Sequence, residues 1–346
     1  MSSAAEWRPD VLGDPFEQLT LPLEPDVEGD VVATLVRYAA APHLHLHRPV
    51  ASGIDVLYVH GWSDYFFQSH LARFWHDAGA RFFALDLRKY GRSLRPGQTP
   101  GFVDDLATYD EDIEAALEAM GHGANGRDHQ RSLVLLGHST GGLTLSLWAA
   151  RHPGRARALI LNSPWLEFQA HSAGRSALTP FVDLQARIDP KAPMPNVDLG
   201  FYTRTVSRTQ DGEWDYDLAW RPARGFPVHP AWLRAVLVGH TRVAAGLEID
   251  APVLTLLSKR STLVPYWSEE MRRSDSVLVV RDIATQALRL GDTVTIAWID
   301  GALHDVFLSP EPVREIAYRR IERWLSGYAP VSEGSRTGAR RPDPRS

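Results

Sequence analysis

Cysteine is absent from this 346-residue sequence, so neither a disulfide nor a thiolate-held metal is open to it. Also missing is any apolar run long enough to cross a bilayer, and the opening MSSAAEWRPD has neither the basic nor the apolar segment of a secretory leader. The expectation is a soluble cytoplasmic protein with no integral membrane segment. Charge of one sign is lacking too. The formal net charge is −5 and the basic residues are scattered apart from a short Arg-rich tail, which argues against a nucleic-acid surface. No internal repeat is present. What remains is 44% hydrophobic, enough for one large core or for one core with a modest inserted domain.

Ser132 to Ala150, SLVLLGHSTGGLTLSLWAA, organises the rest. Its first residues read as a buried strand and Leu143 to Ala150 as a helix packed on its apolar side. Between them, Gly137-His138-Ser139-Thr140-Gly141-Gly142 is G-x-S-x-G at a strand-to-helix turn, the setting that lifts a serine hydroxyl above a sheet edge. The glycines permit close backbone approach where a Cβ would collide. Ser139 is thereby a candidate nucleophile, and its weight depends on partners elsewhere.

Phe16 to Leu23 and Val31 to Tyr38 read as an antiparallel hairpin. His43, His45 and His47 share a spacing of two and could in principle meet a metal, but no carboxylate accompanies them and a polar loop is the plainer account. Ile54 to Val59 is a short strand ending in His60-Gly61-Trp62, the place for a second oxyanion donor; the backbone N–H groups of Trp62 and Thr140 are the candidate pair. Tyr65 to Ala78 reads as a helix, Ala80 to Leu87 as a strand, and Phe102 to Met120 as a helix. Asp86 and Arg88 read as a charge pair fixing a loop beside the site, and His122 and His129 as solvated loop residues. After the strand Ala156 to Leu161 the alternation stops. From Leu166 to about Asp250 the chain is rich in aromatics and prolines and ends in a helix from Pro230 to Leu247. We read it as a loop-rich lid whose aromatics wall an apolar pocket, against the alternative of a satellite core. Alternation resumes with Pro252 to Leu257, a helix around Asp282 to Leu290, the strand Thr293 to Ile299, and a last helix from Ser309 to Gly327.

Eight strands, the last six alternating with helices, imply an α/β fold: a mostly parallel, doubly wound eight-stranded sheet with an inserted lid. The divisions are an N-terminal extension over 1–15, core over 16–165 and 251–327, the lid over 166–250, and a disordered tail over 328–346. His304, just past the last strand, completes a chain order of serine, acid, histidine and is the candidate general base and acid. The acid is harder to place. Its simplest position after Val253 to Leu257 holds Ser261, with no carboxylate before Glu269. Asp275 leaves room for one helix and one strand before His304, so residues 262–274 read as an insertion that delays the acid; Asp282 and Glu167 stand in reserve.

His60-Gly61-Trp62, Leu85 to Ser93 (LDLRKYGRS), Gly137 to Gly142 and Gly301 to Asp305 together resemble the α/β-hydrolases of the monoglyceride lipase and lysophospholipase group, also called serine aminopeptidase-like, over about Val31 to Leu325. Lys89 stands where that group usually has glycine. The resemblance implies ester hydrolysis through a serine acyl-enzyme, with no cofactor, on a small ester with an apolar acyl group: a monoacylglycerol, a lysophospholipid or something smaller. Thioester or amide cleavage and acyl transfer share the same intermediate and stay open. A catalytically silent binding protein would follow if the acid had been lost at Ser261.

Overall fold

The computed structural model describes residues 6–42, 48–123, 131–168, 171–194 and 199–328. His43, His45, His47, His129 and residues 329–346 lie outside them, while Tyr328, read as the start of the tail, is the last residue of a helix.

The described residues form one sheet of nine strands: β1 (Arg8–Pro9), β2 (Phe16–Asp26), β3 (Gly29–Tyr38), β4 (Ile54–Val59), β5 (Arg81–Asp86), β6 (Ser132–His138), β7 (Ala158–Asn162), β8 (Val253–Ser258) and β9 (Val294–Ile299). The helices are α1 (Ser69–Asp77), α2 (Tyr109–Met120), α3 (Thr140–Arg151), α4 (His171–Ile188), α5 (Phe201–Val206), α6 (Pro230–Ala245), α7 (Val280–Ala287) and α8 (Glu311–Tyr328). Strand order is β1-β2-β3-β5-β4-β6-β7-β8-β9. The first three strands join β5 antiparallel, and every pairing from β5 to β9 is parallel. Every residue of β4, β7 and β8 is buried, as expected of parallel strands covered on both faces.

Alternation along the strands divides the core. Leu57, Leu135, Leu159 and Val253 face the layer that holds α2, α3, α6 and α7, while Val56, Val134, Ile160 and Leu254 face α1 and α8. Register then places the strand ends. Val59 pairs with Gly137, so the turns that follow β4 and β6 emerge side by side, and Ser258 pairs with Ile299, which brings the loops after β8 and β9 together. All four loops leave from carboxyl ends, where open parallel sheets collect their ligands.

Several elements differ from expectation. The ninth strand is the two-residue β1, which pairs with Glu17 and Gln18 at the sheet edge. The first helix begins at Ser69 instead of Tyr65. Ahead of it, the N–H groups of Phe66 and Phe67 donate to Asp86 and to the Gln68 side chain, so an apolar run that suits a helix is spent as buried loop. The stretch read as helix from Phe102 is helical only from Tyr109, after a short 3₁₀ turn at Leu106–Thr108. The stretch between β7 and β8, read as loop-rich, contains the 18-residue α4, which runs through Pro180 and lies against α6, with Arg175 bonded to Thr241 across the two. His122 is not solvated: its Nε2 lies 2.8 Å from Asp55, which also receives Arg81 and Arg131. Burial pushes the Asp55 carboxyl up, and those three partners outweigh it and hold it at about 2. Among the described residues, no helix is long and apolar enough to cross a membrane.

Two buried imidazoles make the fold sensitive to acid. His70 on α1 donates to the Phe307 carbonyl at 2.8 Å and His240 on α6 to the Trp165 carbonyl at 2.9 Å; burial pushes each down to about 4. An unfolded histidine titrates near ~6.5. Between those values the unfolded chain binds protons that the folded chain refuses, so stability falls with pH, by about 1.4 kcal/mol per pH unit for each group. Urea midpoints measured from pH 7 to 5 should drop less steeply in a His240→Gln variant, and an unchanged slope would contradict the assignment.

Candidate active site

Ser139 sits between β6 and α3 with φ 51 and ψ −118, a backbone conformation that side chains rarely adopt. Its neighbours show why only glycine fits around it. A Cβ on Gly141 would lie 2.3 Å from the His60 carbonyl oxygen, and one on Gly137 would lie 2.7 Å from the Gly142 Cα. The turn is tied down by the Ser139 N–H donating to the Asn162 carbonyl (3.1 Å) and the Trp165 N–H donating to the Ser139 carbonyl (2.9 Å). Register brings Gly61 against it, such that a Cβ there would meet the Ser139 Cβ at 3.0 Å. The His60 ring holds this second turn from below. Nδ1–H donates to the Gly61 carbonyl (2.7 Å) and Nε2 accepts from the Leu87 N–H (3.1 Å), while burial pushes the imidazole pKa down and keeps it neutral.

His304 follows β9 on a turn that is bonded to Ser258 and Ser309. Its Nε2 lies 3.1 Å from the Ser139 Oγ and its Nδ1 lies 2.9 Å from the Asp275 Oδ2. The other Asp275 oxygen accepts the N–H groups of Val277 (2.7 Å) and Leu278 (2.8 Å). All three side chains are buried, Ser139 to 9% exposure. How Asp275 arrives here resolves the vacancy at Ser261. Asp275 N donates to the Arg260 carbonyl and Thr262 N to the Asp275 carbonyl, so residues 262–274 leave the strand end and return to lie beside it. The two reserves are elsewhere: Glu167 is bonded to Arg175 and Gln286, and Asp282 lies in the first turn of α7.

Asp86 and Arg88 do not pair with each other. Asp86 joins Arg92 at 2.8 Å, and Arg88 joins Asp112 at 2.7 Å and Glu111 at 2.5 Å. Between them Lys89 has φ 64, a conformation that favours glycine. Its side chain is 1% exposed, and the ammonium lies 2.5 Å from Asp26 and 2.7 Å from Glu28 on the hairpin.

Beneath the site lies a polar layer that motif reading did not find. Asp305 accepts from Asn162 (2.7 Å), Gln68 (3.1 Å) and the Phe307 N–H (2.9 Å), and Asn162 also accepts the Val306 N–H (3.0 Å). Asp64, His138 and Asp305 are close enough to share an ion. Each is already engaged, however: Asp64 with Arg221, Asp305 as above, and His138 with the Asn162 carbonyl. Asp305 had a signal in its place directly after His304, whereas Arg221 had none.

A family model described as serine aminopeptidase, S33, matches residues 54–311, three quarters of the chain and every element that carries the site. The chain belongs to that family of hydrolases. This α/β-hydrolase is 26% identical over 280 residues to a monoacylglycerol lipase of Mycolicibacterium smegmatis, covering 80% of the chain and 89% of that protein. Over a shorter stretch, 23% of the chain and 21% of the relative, it is 36% identical to the Homo sapiens (lyso)-N-acylphosphatidylethanolamine lipase. Solved structures that share its fold include the monoacylglycerol lipase of Paleococcus ferrophilus (TM-score 0.57, 21% identity, 80% of this chain and 97% of that one) and a carboxyl esterase of Bacillus coagulans in complex with glycerol (TM-score 0.63, 15% identity, 90% and 98%). Family and relatives together support a carboxylic ester hydrolase.

Proposed function

We propose that this α/β-hydrolase cleaves carboxylic esters of apolar acyl groups through an acyl-enzyme on Ser139. The observation that carries the reading is the hydrogen-bonded line from the Ser139 Oγ through His304 to Asp275. The serine oxygen attacks the ester carbonyl carbon as His304 Nε2 takes its proton, and Asp275 holds the imidazolium that forms. Negative charge develops on the carbonyl oxygen, for which the N–H groups of Trp62 and Thr140 are the donors. Thr140 opens α3, where an N–H has no partner within the helix. The intermediate collapses, the alcohol leaves with the proton from His304, and water repeats the sequence to free the acid.

Residues 166–250 act as the lid. Indoles crowd the site: Trp62 lies 3.7 Å from Trp232, which lies 6.2 Å from Trp165, and Phe226 is 6.1 Å from Trp62. Aromatic rings packed beside the turn favour an apolar acyl chain, in keeping with relatives named monoacylglycerol lipase and (lyso)-N-acylphosphatidylethanolamine lipase. The silent binding protein loses its ground, since it rested on the absence of a carboxylate at Ser261 and Asp275 reaches His304 instead. Turnover of p-nitrophenyl esters from acetyl to dodecanoyl, beside a monoacylglycerol and a matched thioester, tests the reading. We expect ester kcat/KM to rise with acyl length and to exceed that of the thioester; a thioester preference would reassign the leaving group.

A further inference from the structure

The three residues that follow the Gly61-Trp62 turn are each held by a short stretch of the chain between β7 and β8. The Ser63 Oγ accepts the Phe226 N–H at 3.0 Å. Asp64 lies 3.0 Å from the Arg221 Nε, with both side chains about 5% exposed. The Tyr65 Oη accepts the Asp217 N–H at 2.8 Å, and the Trp220 ring stands edge-on to the Tyr65 ring at 5.1 Å. Ser63 carries a positive φ of 50, a conformation this turn must be made to hold. None of these contacts lies in the sheet, so strand register does not supply them.

Arg221 is the centre of the clasp. Its guanidinium lies over the Tyr216 ring at 4.6 Å, the Tyr202 ring at 5.3 Å and the Phe67 ring at 5.7 Å. Tyr202 in turn stands edge-on to the His304 ring at 5.3 Å and accepts the Asp305 N–H at 3.2 Å. One cation thus touches the loop after the Gly61-Trp62 turn and, through Tyr202, the loop that carries His304. Burial pushes the Asp64 carboxyl up against the pull of Arg221, so the charge on Asp64 depends on its partner. A buried ion pair is a poor way to gain stability over apolar residues of equal size, so the use of this one is to be sought in what it orients.

We propose that Arg221 is a positioning residue, whose pairing with Asp64 and contact with Tyr202 set the Trp62 N–H and His304 at the distances that the reaction requires. The proposal rests on the catalytic reading of Ser139 given above. Its physical basis is tolerance: a donor to a developing oxyanion must be held to within about 0.5 Å, and losing one donor costs about 10²–10³ in kcat. Loosening a donor costs less than losing it. Arg221→Met, which keeps length and removes charge, should lower kcat for a small p-nitrophenyl ester by about 10- to 100-fold and leave KM within about threefold.

The Asp64→Asn/Arg221→Met double variant separates positioning from neutralisation. If Arg221 serves only to neutralise Asp64, the double variant recovers both melting temperature and kcat; if it positions, melting temperature recovers and kcat does not. Tyr202→Phe keeps the ring under Arg221 and removes the acceptor of the Asp305 N–H, and it decides the matter should either Arg221 variant fail to fold, with a drop in kcat at constant KM expected and an unchanged kcat overturning the proposal. An Arg221→Met variant with wild-type kcat also overturns it. Fluorophosphonate labelling of the wild type keeps the two readings apart. Without labelling at Ser139 the catalytic reading fails, whereas labelling together with full Arg221→Met activity sinks the positioning role alone.

Discussion

Ser139→Ala should lower kcat for p-nitrophenyl esters by about six orders of magnitude and abolish fluorophosphonate labelling, while the protein stays folded. The methyl group keeps the bulk of the side chain and loses the oxygen that would bond the acyl carbon. His304 would then have no proton to take, and water would have to find the carbonyl unaided. A second substitution checks the geometry. The φ of 51 and ψ of −118 at this position suit glycine, so Ser139→Gly should be as inactive as the alanine variant and yet melt higher, by about 1 kcal/mol of released strain. A strained residue with no part in the chemistry would give the gain in stability without the loss of turnover. Activity that persists in Ser139→Ala removes the assignment.

Asp275→Asn should cost about 10⁴ in kcat with little change in KM. The reason lies in the two oxygens. Oδ1 accepts the N–H groups of Val277 and Leu278, so in the variant the amide oxygen takes that place and the NH₂ faces His304. A donor there requires the proton of the neutral imidazole to sit on Nε2, and an Nε2–H cannot accept from the Ser139 hydroxyl. Asp282→Asn should leave kcat within about threefold, since that side chain belongs to the first turn of α7. Steady-state kinetics of both variants decide the matter. A loss under about tenfold for Asp275→Asn, or a larger one for Asp282→Asn, would reopen the identity of the acid.

The legible parts of this molecule are those whose cause is local. Ser139 and His304 could be picked out because each follows a strand at once, within a turn whose glycines have an evident purpose. The parallel strands could be read because burial on both faces leaves continuous apolar runs such as Ala158 to Leu161. Asp275 could be singled out only by the room between it and His304; what brings it beside Ser261 is a pair of backbone hydrogen bonds with no residue signature. Residues 65–68 misled because an apolar aromatic run serves a helix or a buried loop equally well, and the choice rests on Asp86 and Gln68 satisfying the backbone. Pro180 and Gly174 disguised α4, whose existence depends on packing against α6. Asp64 and Arg221 are 157 positions apart, and nothing local in either marks the other as its partner.

The return of the chain at Asp275 also makes the acid arm modular. Residues 262–274 enter and leave at one doorway, closed by Asp275 on Arg260 and by Thr262 on Asp275. Beyond the doorway the segment has anchors of its own: Met271 and Ser274 are buried, and the Trp267 ring lies under Arg204 at 3.9 Å. Leu263 and Tyr266, near its start, are exposed, and lengthening a flexible loop there twofold costs only about 0.6 kcal/mol of closure entropy. Residues 263–266 are thus the socket for grafted sequence, in which a surface function could be gained while Arg260 and Thr262 keep their hold on Asp275.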